Sequence, residues 1–108
     1  MLQQQLPRQS EADTKRAIIQ YLKIRGHLVI PYRIAGIKTA TKGWIPAPRT
    51  VIADLLGLTK DGKFFAIECK SNIGRITPEQ NKFLESVRSC GCVAIVARSI
   101  EDVREVGL

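Results

Sequence analysis

The chain has 108 residues, 44% of them hydrophobic and 25% charged, with a formal net charge of +7. That length suits one compact domain and not two, and no apolar stretch is long enough to span a bilayer. A positive charge of this size on so small a body suits a polyanionic partner, although acidic proteins and lipid headgroups also attract basic proteins.

The opening "MLQQQLPRQ", residues 1–9, is Gln-rich and aperiodic and reads as a loose tail, leaving 10–108 as the folded domain. No signal-peptide pattern is present, so the cytoplasm is the expected location. Ser10 can cap a helix whose third residue is Asp13, in which Ala17, Ile18, Tyr21 and Leu22 recur at helical spacing until Gly26. "HLVIPYRI" reads as a first strand, with Pro31 marking an edge or a bulge. Residues 35–49, "AGIKTATKGWIPAPR", have no period and read as a long loop carrying Lys38, Lys42, Trp44 and Arg49.

"TVIADLLGL" is expected as a second strand, and the Asp61-Gly62 turn returns the chain as a third, "KFFAIECK", antiparallel to it. Thr77-Pro78-Glu79-Gln80 opens a helix, with Thr77 as cap, Pro78 in the first turn and Gln80 closing a capping box. "CVAIVARS" is the continuous apolar run of a strand covered on both faces, and Ser99 with Asp102 starts a last helix. The helix between the third and fourth strands is a crossover, so those strands should be parallel. Of the three cysteines, Cys90 and Cys92 are too close for a metal-type CxxC and His27 is the only histidine, so no zinc site is expected. Cys90 and Cys92 read as small core or near-core residues.

The third strand ends in charge. Glu68 and Lys70 are two apart and share a strand face, while Cys69 points the other way. A two-residue loop at Asp61-Gly62 would place Glu68 opposite Leu55, and a slip of one residue would still leave Asp54 and Glu68 adjacent. Two carboxylates that close repel unless a cation lies between them. Lys70 is one candidate, and a hard divalent ion such as Mg²⁺ or Mn²⁺ is a better one. The triplet alone could also be a solvated ion pair at a strand end.

Asp54, a hairpin and then Glu68-Cys69-Lys70 resemble the D…(D/E)xK pattern of restriction-endonuclease-like nucleases. The stretch "ECKSNIGRITPEQNKFLESVRSCGCVAIVARSIEDV" is similar, more narrowly, to the VRR-NUC branch, the virus-type replication and repair nucleases. The resemblance implies an α/β fold with an αβββαβ core, a mixed sheet flanked by helices. It implies a metal-dependent DNA endonuclease with Asp54, Glu68, the Cys69 carbonyl and Glu11 toward the metal, and Lys70, Gln80 and Glu11 near the chemistry. Ala53 stands where the family usually has proline, from which only a small change in strand geometry is expected.

Arg75, Lys38, Lys42, Arg49 and Trp44 are candidate DNA contacts. Arg75 can also be a solvated charge and Trp44 a core residue. Gln80 and Glu11 have structural explanations too, as a capping-box residue and as first-turn acid at the helix dipole. So small a chain resembles viral or bacterial members, which often resolve Holliday junctions as homodimers. The alternatives are a monomeric flap or nicking nuclease, and a basic nucleic-acid-binding module without catalysis.

Overall fold

The computed structural model describes residues 9–32, 37–45 and 51–108. The expected N-terminal tail, the end of the expected first strand and Arg49 fall outside these residues in whole or in part. The chain starts with helix α1 (Glu11–Ile24), closed at its N-terminus by a capping box. The Ser10 hydroxyl accepts the Asp13 N–H at 3.1 Å, and the Asp13 carboxylate accepts the Ser10 N–H at 3.4 Å. Thr14, Ile18 and Leu22, four apart, form its buried stripe.

Four strands make one sheet in the order β1 (Leu28–Ile30), β4 (Leu55–Leu58), β5 (Phe64–Cys69), β6 (Val93–Ala97). The first three pair antiparallel, and β5 and β6 pair in parallel across helix α2 (Pro78–Ser89). Helix α3 (Ile100–Glu105) follows, with Ser99 as its N-cap. The meander, the crossover and the parallel partner are those the sequence implies.

Alternation along β5 builds two cores. Phe65, Ile67 and Cys69 meet Ile18 and Leu22 of α1 and Val103 of α3 on one face. Ala66 meets Leu84 and Val87 of α2 on the other. β6 lies at the sheet edge, yet its residues divide between both cores, which is why it reads as an unbroken apolar run. Gly57 has no room for a side chain, since an added Cβ would stand 2.2 Å from the Phe65 ring and 2.4 Å from the Leu28 carbonyl.

Five expectations change. Residues Ile37–Thr39 and Gly43–Ile45 form a two-stranded antiparallel ribbon, β2 and β3, inside the stretch read as a loop. Its strands are three residues each, too short to show a period. β1 stops at Ile30, before Pro31, which has no N–H to give to a ladder. β4 begins only at Leu55, with Asp54 in a bend ahead of it. The register is one residue from that of a two-residue loop, with Leu55 opposite Ile67. Thr59 and Lys63 close a three-residue loop instead, in which Gly62 takes the left-handed conformation at φ 89°. Finally, Cys90 is exposed because it forms the C-cap of α2, while Cys92 is half-buried against the α2 core.

Candidate active site

The one-residue change of register has a direct consequence. Continued past Leu55–Ile67, it sets Asp54 across from Glu68. The two residues lock by crossed bonds between side chain and backbone. The Asp54 Oδ2 accepts the Cys69 N–H at 2.9 Å, and the Glu68 Oε2 accepts the Asp54 N–H at 3.3 Å. The Asp54 carboxylate thus takes a backbone donor that a longer β4 would have used, which is why the strand ends there.

Glu68 lies on the α2 face of β5 and is 3% exposed. Burial, and then the facing Asp54 carboxylate, push its carboxyl up to about 7, against the opposing pull of Lys70. The Lys70 Nζ stands 3.6 Å from Glu68 Oε1 and 3.7 Å from Glu11 Oε1. Glu11, at the start of α1, is half exposed, so the ammonium is held between a buried carboxylate and one open to solvent.

Gln80 does two things at once. Its Oε1 accepts the Thr77 N–H at 2.9 Å and closes the α2 capping box, while its Nε2 donates to Glu68 Oε1 at 3.0 Å. Cap and site do not compete for this side chain, because a primary amide carries an acceptor and donors on separate atoms. The helix cap and the Glu68 orientation are therefore one unit.

Cys69 turns its side chain into the α1 core, where burial and then the Asp54 and Glu68 charges push the thiol up to about 12. The thiol stays protonated. In an extended strand the N–H and C=O of one residue point to the same side. The Cys69 carbonyl therefore faces the Asp54 side, and the next donor, Lys70 N–H, binds Ala97 of β6 at 3.0 Å. Among the described residues no three His, Cys, Asp or Glu side chains form a metal-holding group. The side-chain oxygens that face each other are those of Asp54 and Glu68.

Two neighbours escaped the sequence reading. The Arg98 Nη1 donates to the Ser71 and Gly74 carbonyls at 2.6 Å each and ties down the loop after Lys70. An added Cβ on Gly74 would lie 3.4 Å from the Lys70 Cδ, so this loop packs along the lysine stem. The signal was a lone arginine ending an apolar strand, in parallel register beside Lys70. The Tyr32 hydroxyl donates to the Ala53 carbonyl, the residue before Asp54. Burial, then the Asp54, Glu68 and Cys69 charges, raise the phenol above its ordinary range. Ala53 is itself buried against α2.

The remaining candidates are not gathered here. Arg75 is exposed on the loop between β5 and α2 and makes no ion pair among the described residues. Lys38 and Trp44 face each other across the β2–β3 ribbon, and Trp44 is 65% exposed, which excludes a core position. Lys42 is exposed in the turn of that ribbon.

A scan against family models matches the VRR-NUC domain over residues 39–101. The chain belongs to the VRR-NUC family. This is a domain of the PD-(D/E)xK-like nuclease superfamily, and the four-stranded mixed sheet flanked by helices is consistent with a restriction-endonuclease-like core. Searches of the curated proteins and of the solved structures returned no match. VRR-NUC membership implies a nuclease of the virus-type replication and repair family, with DNA as substrate. The VRR-NUC match contains Asp54, Glu68, Lys70 and Gln80, whereas Glu11 lies ahead of it and is tied to the site by its distance to Lys70. No helix among the described residues is long and apolar enough to cross a membrane.

Proposed function

We propose that residues 10–108 form a Mg²⁺- or Mn²⁺-dependent DNA endonuclease that hydrolyses phosphodiester bonds in branched DNA as a homodimer. The observation that carries this is the pair Asp54 and Glu68, faced across β4 and β5, with Lys70 held between Glu68 and Glu11. The donor set fits a hard divalent ion: two carboxylates that repel without a cation, and a backbone carbonyl turned to the same side. Asp54, Glu68 and the Cys69 carbonyl would hold the ion, with Glu11 near its edge. Such an ion supplies charge on a phosphoryl oxygen and acidifies water.

The chain's own groups do the rest. Lys70 keeps an ammonium beside the carboxylates, where it orients a water by hydrogen bonding and steadies negative charge on the phosphate. Gln80 fixes the Glu68 rotamer through its amide N–H. Arg98 holds the loop that backs Lys70. The exposed ribbon bearing Lys38, Lys42 and Trp44, with Arg49, contacts the DNA backbone outside the cut, and Arg75, on the loop after Lys70, holds a phosphate beside it. The branched substrate and the dimer rest on family resemblance and on the small surface one chain offers to a junction.

The test is cleavage of duplex, flap, replication-fork and four-way-junction DNA with Mg²⁺, Mn²⁺ or chelator. Paired cuts in the four-way junction, only with metal, are expected. Lys70→Ala should lower the single-turnover rate by at least about a hundredfold and leave DNA affinity in place. Cutting in chelator, or a Lys70→Ala variant as fast as the parent, would overturn the reading.

A further inference from the structure

Beside the carboxylates, on the α1 side, a cleft of about 320 Å³ opens between α1 and β1. Its wall includes Lys15, Ile19 and Lys23 from α1, Val29 and Tyr32 from β1 and the residues after it, and Asp54 at one end. Glu11, Lys15, Ile19 and Lys23 are each four residues apart, so they follow one another along a ridge of the helix. That ridge starts at the carboxylate facing Lys70 and leads away from it. The lysines lie about 12 Å apart along the helix axis, with the apolar Ile19 between them and Val29 on the same cleft wall. The volume is within the range of pockets that take small organic groups, from about 300 Å³ upward.

We infer that this cleft is a nucleotide subsite for the strand being cut. Lys15 and Lys23 hold phosphates at the two ends of the cleft, and the sugar and base between them lie on Ile19, Val29 and the Tyr32 ring. The inference rests on the nuclease reading for its substrate. The cleft supplies what the carboxylate pair lacks, a cationic and apolar track that leads a strand to Asp54. A free phosphate would use the lysines alone and leave the apolar wall idle. A nucleotide uses both.

The test is fluorescence anisotropy of the full chain in chelator with a labelled single-stranded oligothymidylate and its abasic counterpart, across a salt series. Lys15→Gln with Lys23→Gln should weaken oligothymidylate binding about tenfold near physiological salt and flatten the log–log salt slope by about 1.4, at about 0.7 per phosphate contact on a single strand. Lys63→Gln with Lys82→Gln removes the same charge from the β4–β5 turn and α2, outside the cleft lining, and should leave most of that slope. Ile19→Ala, shown folded by its thermal melt, should narrow the gap between thymidylate and abasic affinities. Equal flattening by both lysine pairs, an unchanged slope in the cleft pair, or an undiminished gap in Ile19→Ala would overturn the subsite. Because binding is read without cutting, a chain that cleaves normally yet fails here loses only the subsite. A chain that passes here but cuts no DNA loses the nuclease reading and keeps the cleft.

Discussion

Glu68 is the residue on which the site turns. Its carboxyl is pushed up to about 7 from an ordinary 4.5, so the folded protein holds a proton that the unfolded chain has released between those values. The unfolded state then binds fewer protons, and stability falls as pH rises through this window. Asp13 and Asp61 are shifted the other way, below 3.8, so they act only at lower pH. In chelator, urea unfolding should therefore show a less stable protein at pH 8 than at pH 5, by up to about 3 kcal/mol. Glu68→Gln should flatten that dependence and be the more stable protein at pH 8. A parent protein equally stable at both values would remove the like-charge contact from the account. The same proton must leave before a cation can bind, so Mn²⁺ affinity measured by calorimetry should rise from pH 6 to pH 8.

At the scale of elements, the site depends on where β4 stops and how β5 lies against it. The three-residue loop sets the register, and the missing side chain at Gly57 lets the Phe65 ring and the β1 backbone close in. Gly57→Ala should cost about 1–3 kcal/mol in urea unfolding, as a methyl forced into a filled space does. Gln80 joins α2 to β5, and Gln80→Glu separates its two roles. The variant keeps an acceptor for the Thr77 N–H but replaces the donor to Glu68 with a third carboxylate. Cleavage at fixed, subsaturating Mg²⁺ should fall more than tenfold at pH 7, while helix content by circular dichroism is kept. Equal activity would reduce Gln80 to a cap.

At the scale of the molecule, a net charge of +7 favours a polyanion without marking the path it takes. The exposed ribbon and the α1 ridge are two basic surfaces, of which the α1 ridge borders the site. Lys38→Gln with Lys42→Gln should weaken binding to every duplex alike and flatten the salt slope by up to about 1.8, at about 0.9 per phosphate contact. An unchanged slope would assign the ribbon, with its exposed Trp44, to a contact between copies of the chain. Light scattering at working concentration checks the dimer: a monomer that still cuts four-way junctions in pairs would remove it.

The local chemistry of the chain was sufficient for its helices, for the order of strands in the main sheet and for part of its site, but not for the short β2–β3 ribbon. Capping boxes at Ser10 and Thr77, the glycine turn at Gly62 and the alternating faces of β5 act over a few residues, so they can be read in order along the sequence. Glu68 and Lys70 share a face for the same reason, and Asp54 joins them because one hairpin links their strands. The tertiary structure decided what depends on distant segments. The β4–β5 register was settled by a loop one residue longer than Asp61-Gly62 alone suggests, and this set Asp54 squarely across from Glu68. Glu11 reaches Lys70, Arg98 reaches Ser71 and Gly74, and Tyr32 reaches Ala53 across separations that no periodicity encodes. The cleft along α1 belongs to the same class: its lysines look like ordinary helix charges until β1 and Asp54 are packed beside them. Spacing fixes which side chains leave the backbone together, and packing alone fixes which of them meet.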